Sequence, residues 1–436
     1  MLIKIFISRR TIMKKITSIL LLLAITSLVF AAGSKEATQG EEGGKTITIL
    51  CVTSPETNAL KVLAKKFKEL NPGYDVVFNE QGRLGYFTNV TTQLVGGTDA
   101  FDLIQDNTTY MTELAAAGTL EPWDKYLNNP KLTDLKAYDL ADLPIKLKYK
   151  GKIYCIPTDL SSQVYYYRKD IISKPADTWD ELIALAKKNT GTAATKYGTI
   201  LTAMTGGPEA PKIFDVVLWS FGGDVIDKDG NVVINSEATK KASGIYRALK
   251  PYMPEDVTTY NYPKVFDAMK SGLVAQAVPF WNAAWNNIKL TDSKFKDKYG
   301  ITLVPGVRQK DGSIRRTPQT HGWGLVMNAK SHNKLAAWKF LVYATSKEGF
   351  EIRGKNGGSI FRPSILNDPK NSNDPYFSVM AKTYSLAKME PLVPYYTKMH
   401  EILNQMVADI LTTNKPIEDI LARTEKDLKN LKAKYE

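Results

Sequence analysis

Residues 47–80, ITILCVTSPETNALKVLAKKFKELNPGYDVVFNE, hold one complete strand–helix–strand unit. ITILCV is a short apolar, β-branched run of the kind that forms a buried strand, and TSPET is a loop. In NALKVLAKKFKELNPG the apolar residues Leu60, Leu63, Ala64, Phe67 and Leu70 recur at helical spacing, and Asn71-Pro72-Gly73 stops the helix. YDVVFNE reads as the second strand. Working outward, FTNVTTQLVGG is a helix, FDLIQD a third strand that runs into Asn107, and TYMTELAAAG the next helix. Strands alternating with helices predict an α/β protein with largely parallel sheets. No short internal repeat occurs, and the chain of 436 residues is longer than one hydrophobic core usually serves, so two lobes are expected.

The N-terminus has the pattern of a signal peptide over residues 1–31. Lys4, Arg9, Arg10, Lys14 and Lys15 precede the apolar run ITSILLLLAITSLVF, and Val29-Phe30-Ala31 suits cleavage. Met1 and Met13 both serve as starts under this reading. Residues 32–45 are small and polar and read as a disordered lead-in. Gly33 stands where a lipid-anchored protein would carry a cysteine, so the expected product is free in a periplasm. Removing 1–31 takes five basic residues and no acid, leaving 53 Lys+Arg against 45 Asp+Glu, a formal charge of +8. These charges are dispersed and not interleaved with aromatics, which argues against nucleic acid as a partner. Cys51 and Cys155 are the two cysteines, each in a strand-like run, and the sequence leaves open whether they are bonded.

Several longer phrases follow one another. They are FDLIQDNTTYMTELAAAGTLEPWDKYL (101–127), GKIYCIPTDLSSQVYYYRKD (151–170), PADTWDELIALAKK (175–188), SFGGDVIDKDGNVVINSEATKKASGIY (220–246), VFDAMKSGLVAQAVPFWNAAW (265–285) and RTPQTHGWGLVMNAKSHNKLAAWKFLVYATSKEG (316–349). The tail from Pro391 adds two amphipathic segments separated by Lys415-Pro416. In this order the phrases resemble the sugar-binding, maltose-binding-protein-like branch (family 1) of the extracellular solute-binding proteins of ABC importers. The chain departs from the pattern at Trp123, where Leu is commoner, at Cys155 for Gly and at Arg168 for Asn. The resemblance implies the two-lobed, type II-like periplasmic-binding-protein fold with strands crossing between lobes. Lobe one would comprise 45–158 and 317–360, and lobe two 159–316 and 361–436. It also implies a monomer that takes a carbohydrate ligand and docks on the membrane permease subunits, with no cofactor and no catalytic step.

Such proteins hold the ligand between the lobes, at the carboxyl ends of the parallel strands. Sugars need polar groups for their hydroxyls and aromatic faces for their CH surfaces. On this ground Trp323 and Trp281 are the expected platforms, with the glycines around Trp323 admitting a ligand close to the backbone. Core packing is the competing role for Trp323, and one of Trp281 and Trp285 should be core. Asp106 and Asn107 end the third strand, although Asn107 or Thr108 could instead cap the following helix. Glu56 lies in the first strand-to-helix loop beside Asn58, itself a candidate cap. Asp159, next to Thr158, follows the crossing strand, and Arg362 lies near the second return between lobes with a salt bridge as its alternative role. Of Tyr395 and Tyr396, the second is expected in the cleft.

Two other functions compete with this reading. The tyrosines, above all Tyr165-Tyr166-Tyr167 and Tyr395-Tyr396, suggest a ferric or other metal-ion binder of similar architecture. A triple Tyr on a strand alternates faces, however, and His321, His332 and His400 lack metal-ligand spacing. A secreted polysaccharide-acting enzyme would need a carboxylate pair that does not stand out, and GxSxG, P-loop, HExxH and GxGxxG motifs are absent.

Overall fold

The computed structural model describes residues 44–83 and 85–435. The expected signal peptide, and the lead-in up to residue 43, lie outside the described residues. Among the described residues eleven strands occur in chain order: β1 (Thr46–Val52), β2 (Asp75–Gln81), β3 (Leu103–Asn107), β4 (Leu147–Tyr149), β5 (Lys152–Cys155), β6 (Pro157–Arg168), β7 (Gln276–Trp281), β8 (Tyr299–Thr302), β9 (Val307–Arg308), β10 (Ile314–Arg315) and β11 (Thr320–Met327). β1 pairs in parallel with both β2 and β3, as the opening unit of the sequence requires. The first helix, Pro55–Leu70, begins before Asn58: Ser54 is its cap, its hydroxyl accepting from the Thr57 amide at 3.2 Å.

Beyond β3 the sheet is mixed, where the sequence predicts a largely parallel one. β11 joins β3 antiparallel and β6 joins β11 antiparallel, while β7 and β8 flank β6 antiparallel as well. The cause is β6 itself. It has 12 residues, enough to extend roughly 40 Å at about 3.3 Å per residue. Asp159, Leu160, Ser161 and Ser162 pair with β11, while Gln163 and the residues after it pair with β7 and β8. One strand therefore belongs to two lobes and joins them. Residues 197–200 add parallel bridges to β7 through Tyr197–Val274 and Ile200–Ala277, so the second lobe keeps part of the parallel character.

The Gly-Trp-Gly step of β11 is explained by its neighbours. A Cβ at Gly322 would sit 2.1 Å from the Asp159 carbonyl oxygen, and one at Gly324 would sit 2.1 Å from Cys155 Sγ. β6 and β5 crowd these positions, so the glycines serve strand packing and not the close approach of a ligand. Cys51 and Cys155 are free and buried, and burial pushes the Cys51 thiol up to about 12. The tail forms the expected helices Tyr396–Thr412 and Ile417–Lys432, packed on each other; the first also packs on the helix Glu209–Ser220, and both pack on the helix Glu237–Leu249.

Candidate functional site

The loops after β2 and β3 converge with the end of β7 on a small recess of about 20 Å³. Parallel strands leave their carboxyl ends on one edge, so chain segments far apart in sequence meet there. One wall is aromatic. Tyr110 stacks on Phe87 with ring centres 4.2 Å apart and planes 9° apart, and Phe87 lies over Trp323 at 5.7 Å and 18°. Trp281 contributes the facing aromatic, its edge set against His321 at 4.4 Å. Such faces cover the CH surface of a polyhydroxylated ring.

The polar lining comes from segments far apart in the chain. Arg83 bonds Glu209 at 3.1 Å and lies 5.8 Å from the Trp323 ring. Glu209 starts the helix Glu209–Ser220, whose preceding loop is held by Asn404 donating to the Gly207 carbonyl at 2.7 Å. Lys212, one helical turn on, is buried and lines the recess.

Beneath it lies a closed polar network centred on Glu390. This carboxylate accepts from Tyr396 Oη at 2.7 Å and Gln319 Nε2 at 3.2 Å, and meets His400 Nε2 at 2.5 Å. Burial works to raise the Glu390 pKa, but His400, Lys212 and Tyr396 outweigh it and leave the group below its ordinary value. Nearby Asp215 goes the other way, driven well up by burial and by Glu390. Gln319 fixes the tautomer of His321. Its amide nitrogen donates to Glu390, so its oxygen accepts both from Gln163 Nε2 at 3.1 Å and from His321 Nδ1 at 3.2 Å. Burial, with Lys212 and Arg83 near, holds the His321 pKa well below its ordinary value. A neutral ring that donates through Nδ1 keeps Nε2 as an acceptor.

Of the residues expected from the sequence, Trp281 and Asn107 line the recess. Asn107 does not cap a helix start: its Oδ1 accepts from the amide and hydroxyl of Thr109, and the helix begins at Met111. Trp323 is one layer back, behind Phe87, and Tyr396 lies below, edge-on to Tyr110 at 5.2 Å. Trp285 is the core partner of the pair, its Nε1 donating to Asp374 at 3.0 Å. Asp106 is not itself in the lining but lies beside it, its charge acting on Tyr110 of the recess as well as on Tyr86 and Cys155. Both its oxygens are buried without a hydrogen-bond partner among the described residues, and burial drives its pKa well up.

Asp159 stands at the hinge and outside the recess. Its Oδ2 accepts from the Ser359 amide at 2.5 Å, and its pKa is pushed up to about 7 by burial first and then by the Glu56 charge, with Arg353 opposing. Glu56 thus belongs with the hinge group. Arg362 is a correction. Its guanidinium is 1 % exposed and is spent on Asp142 at 3.0 Å and on the Tyr138 and Thr345 carbonyls at 3.1 and 2.8 Å, all in the first lobe.

The sequence reading missed Arg83, Phe87 and Tyr110, although the strand-end rule that selects Asp106 also covers the loop after β2. Glu209, Lys212 and Glu390 carry no local signal. Of the tyrosines that suggested a metal, Tyr166 donates to the Trp281 and Asn282 carbonyls at 3.1 and 2.9 Å and Tyr165 bonds Gln276, on opposite faces of β6. Among the described residues no group of three or more His, Cys, Asp or Glu could hold a metal ion, and no helix is long and apolar enough to cross a membrane.

Comparison with known proteins gives consistent findings. The profile of the bacterial extracellular solute-binding proteins matches residues 53–349. A binding protein of Brucella abortus is 26% identical, with 94% of this chain and 98% of that one covered. The erythritol/L-threitol-binding protein of Mycolicibacterium smegmatis is also 26% identical, over 74% of this chain and 72% of its own. The maltose-bound structure of a T. maritima protein superposes with a TM-score of 0.78 at 25% identity, covering 88% of this chain and 99% of that one.

Proposed function

We propose that this chain, which belongs to the family of bacterial extracellular solute-binding proteins, captures a small carbohydrate or polyol in the recess between its lobes and delivers it to the permease of an ABC importer. The observation that carries the reading is the pairing of an aromatic wall, Tyr110–Phe87–Trp323, with Trp281 across a recess whose remaining lining is polar. Relatives that bind erythritol or L-threitol and maltose support the ligand class. Closure by hinge motion about β6 and β11 would trap the ligand, and the protein would make and break no bond.

The remaining parts of the reading rest on the same base. Export through the segment 1–31 would put the protein in a periplasm as a monomer. We take lobe one as 45–158 with 317–360 and lobe two as 159–316 with 361–436, modified so that Arg362 and Ser364, both bonded to Asp142, go with lobe one. The test is calorimetric titration of the purified protein with polyols, monosaccharides, sugar acids, disaccharides and maltotriose. Saturable binding of one class is the expected result. Failure of every carbohydrate and polyol, sugar acids included, would remove the reading. Release of nitrophenol from a chromogenic glycoside panel would show bond cleavage and refute the purely binding role.

A further inference from the structure

Resting on the carbohydrate reading, we propose that the ligand is an acidic monosaccharide, a uronate or aldonate, whose carboxylate sits against Lys212 and Arg83. The argument is a count of donors and acceptors at the recess. Lys212 is 2 % exposed, yet among the described residues its ammonium has no hydrogen-bond acceptor, and Glu390 comes no nearer than 4.0 Å. Glu390 cannot satisfy it, because that carboxylate is already taken by His400, Tyr396 and Gln319. Arg83 shares only one of its nitrogens with Glu209 and stands half-exposed at the rim. Asn107 spends its oxygen on Thr109, which leaves its amide hydrogens for the recess.

The lining therefore offers an ammonium, a guanidinium edge and an amide NH₂ as donors. Its acceptors are the Nε2 of His321, the outer oxygen of Glu209 and the hydroxyl of Tyr110, which can also donate. A sugar hydroxyl both donates and accepts, so a wholly neutral ligand would bring no charged acceptor to the ammonium and the guanidinium edge. A carboxylate accepts only. It would also give the buried ammonium a hydrogen-bonding acceptor beside its stretched ion pair with Glu390 at 4.0 Å, in a setting where a charge-assisted bond is strong. Burial depresses the Lys212 pKa even with Glu390 and Glu209 near, in keeping with a cation short of partners. The ring hydroxyls would then meet His321 and Glu209, and the CH face would lie on Phe87 and Tyr110 or on Trp281.

The experiment is calorimetric titration of the purified protein with glucuronate, galacturonate, gluconate and galactonate beside their neutral parents glucose, galactose, sorbitol and galactitol. At least one acid should bind tenfold or more tighter than its parent, and the preference should shrink with added salt. Lys212→Met should abolish the preference, so that acid and neutral parent bind equally. Arg83→Gln, at an exposed position where folding is not at risk, should reduce it severalfold. Neutral parents binding as tightly as the acids would overturn the proposal and leave the carbohydrate reading intact. An acid preference that survives both substitutions would overturn the placement of the carboxylate. Silence from both series, and from ribitol, mannitol and maltotriose, would defeat the proposal together with the reading beneath it.

Discussion

Trp281, Phe87 and Trp323 have the same chemistry and different jobs, set by which face each ring presents. Phe87 and Trp281 line the recess, so Phe87→Ala and Trp281→Ala should each weaken ligand binding by about 1–3 kcal/mol, and Trp281→Ala, whose ring is also buried in the core, should lower the urea midpoint as well. Trp323 is 4 % exposed and packs with Val326, Ile104 and Cys155. Its replacement by Ala should instead cost ~3–5 kcal/mol of folding stability, read from urea unfolding. Asp159 gives a pH prediction. Its pKa is pushed up to about 7 in the folded chain from an ordinary 3.8, so between those values the folded state holds more protons than the unfolded one. Stability contributed by this group is present at low pH and is lost as pH rises towards 7. Asp159→Asn should flatten that decline, measured as the difference in urea midpoint between pH 5 and pH 8. An unchanged difference would mean the carboxyl is not the proton holder.

At the scale of elements, the first βαβ unit was legible because its helix and strands are each specified by local periodicity. The direction of β11 and the double membership of β6 were not, since pairing direction is set by partners over 150 residues away, such as Trp323 with Asp159. The candidate site divides the same way. Asn107 and Trp281 end strands, and a strand end can be read from the sequence. Lys212 and Glu390, 178 positions apart in the sequence, meet only after the chain has folded, and neither lies in a diagnostic pattern. Two tests follow from the elements themselves. Gly322→Ala forces a Cβ against the Asp159 carbonyl, backbone that cannot swing aside, and overpacking of this kind costs about 1–3 kcal/mol. Arg362→Met strands Asp142 and three carbonyl groups, which for a buried pair amounts to ~3–5 kcal/mol. Ligand affinity of the folded Arg362 variant should equal that of the parent, the opposite of what a cleft arginine would give.

For the whole molecule, function depends on contacts that hold the lobes together, and two of these stand apart from the crossing strands. Arg83 meets Glu209, and Glu113 of the helix Met111–Ala116 accepts from the amide and hydroxyl of Thr397 at 2.7 and 2.9 Å. The second contact lies outside the recess lining, so it can be removed without touching the site. Thr397 starts the helix Tyr396–Thr412 that also carries His400, which ties closure to the network under the recess. Hydrogen bonds to a charged group are worth about 1.5–3 kcal/mol, and this pair exists only while the two helices are in contact. Glu113→Ala should therefore shift the population towards a separated arrangement. Apparent affinity falls in proportion to the fraction of molecules still able to close, by about tenfold to a hundredfold for that range of energy. Small-angle scattering should register the shift as a larger radius of gyration before ligand is added, converging on the parent value at saturation. Were affinity to fall with no change in the radius at any ligand concentration, Glu113 would be acting through the network on the recess and not through closure.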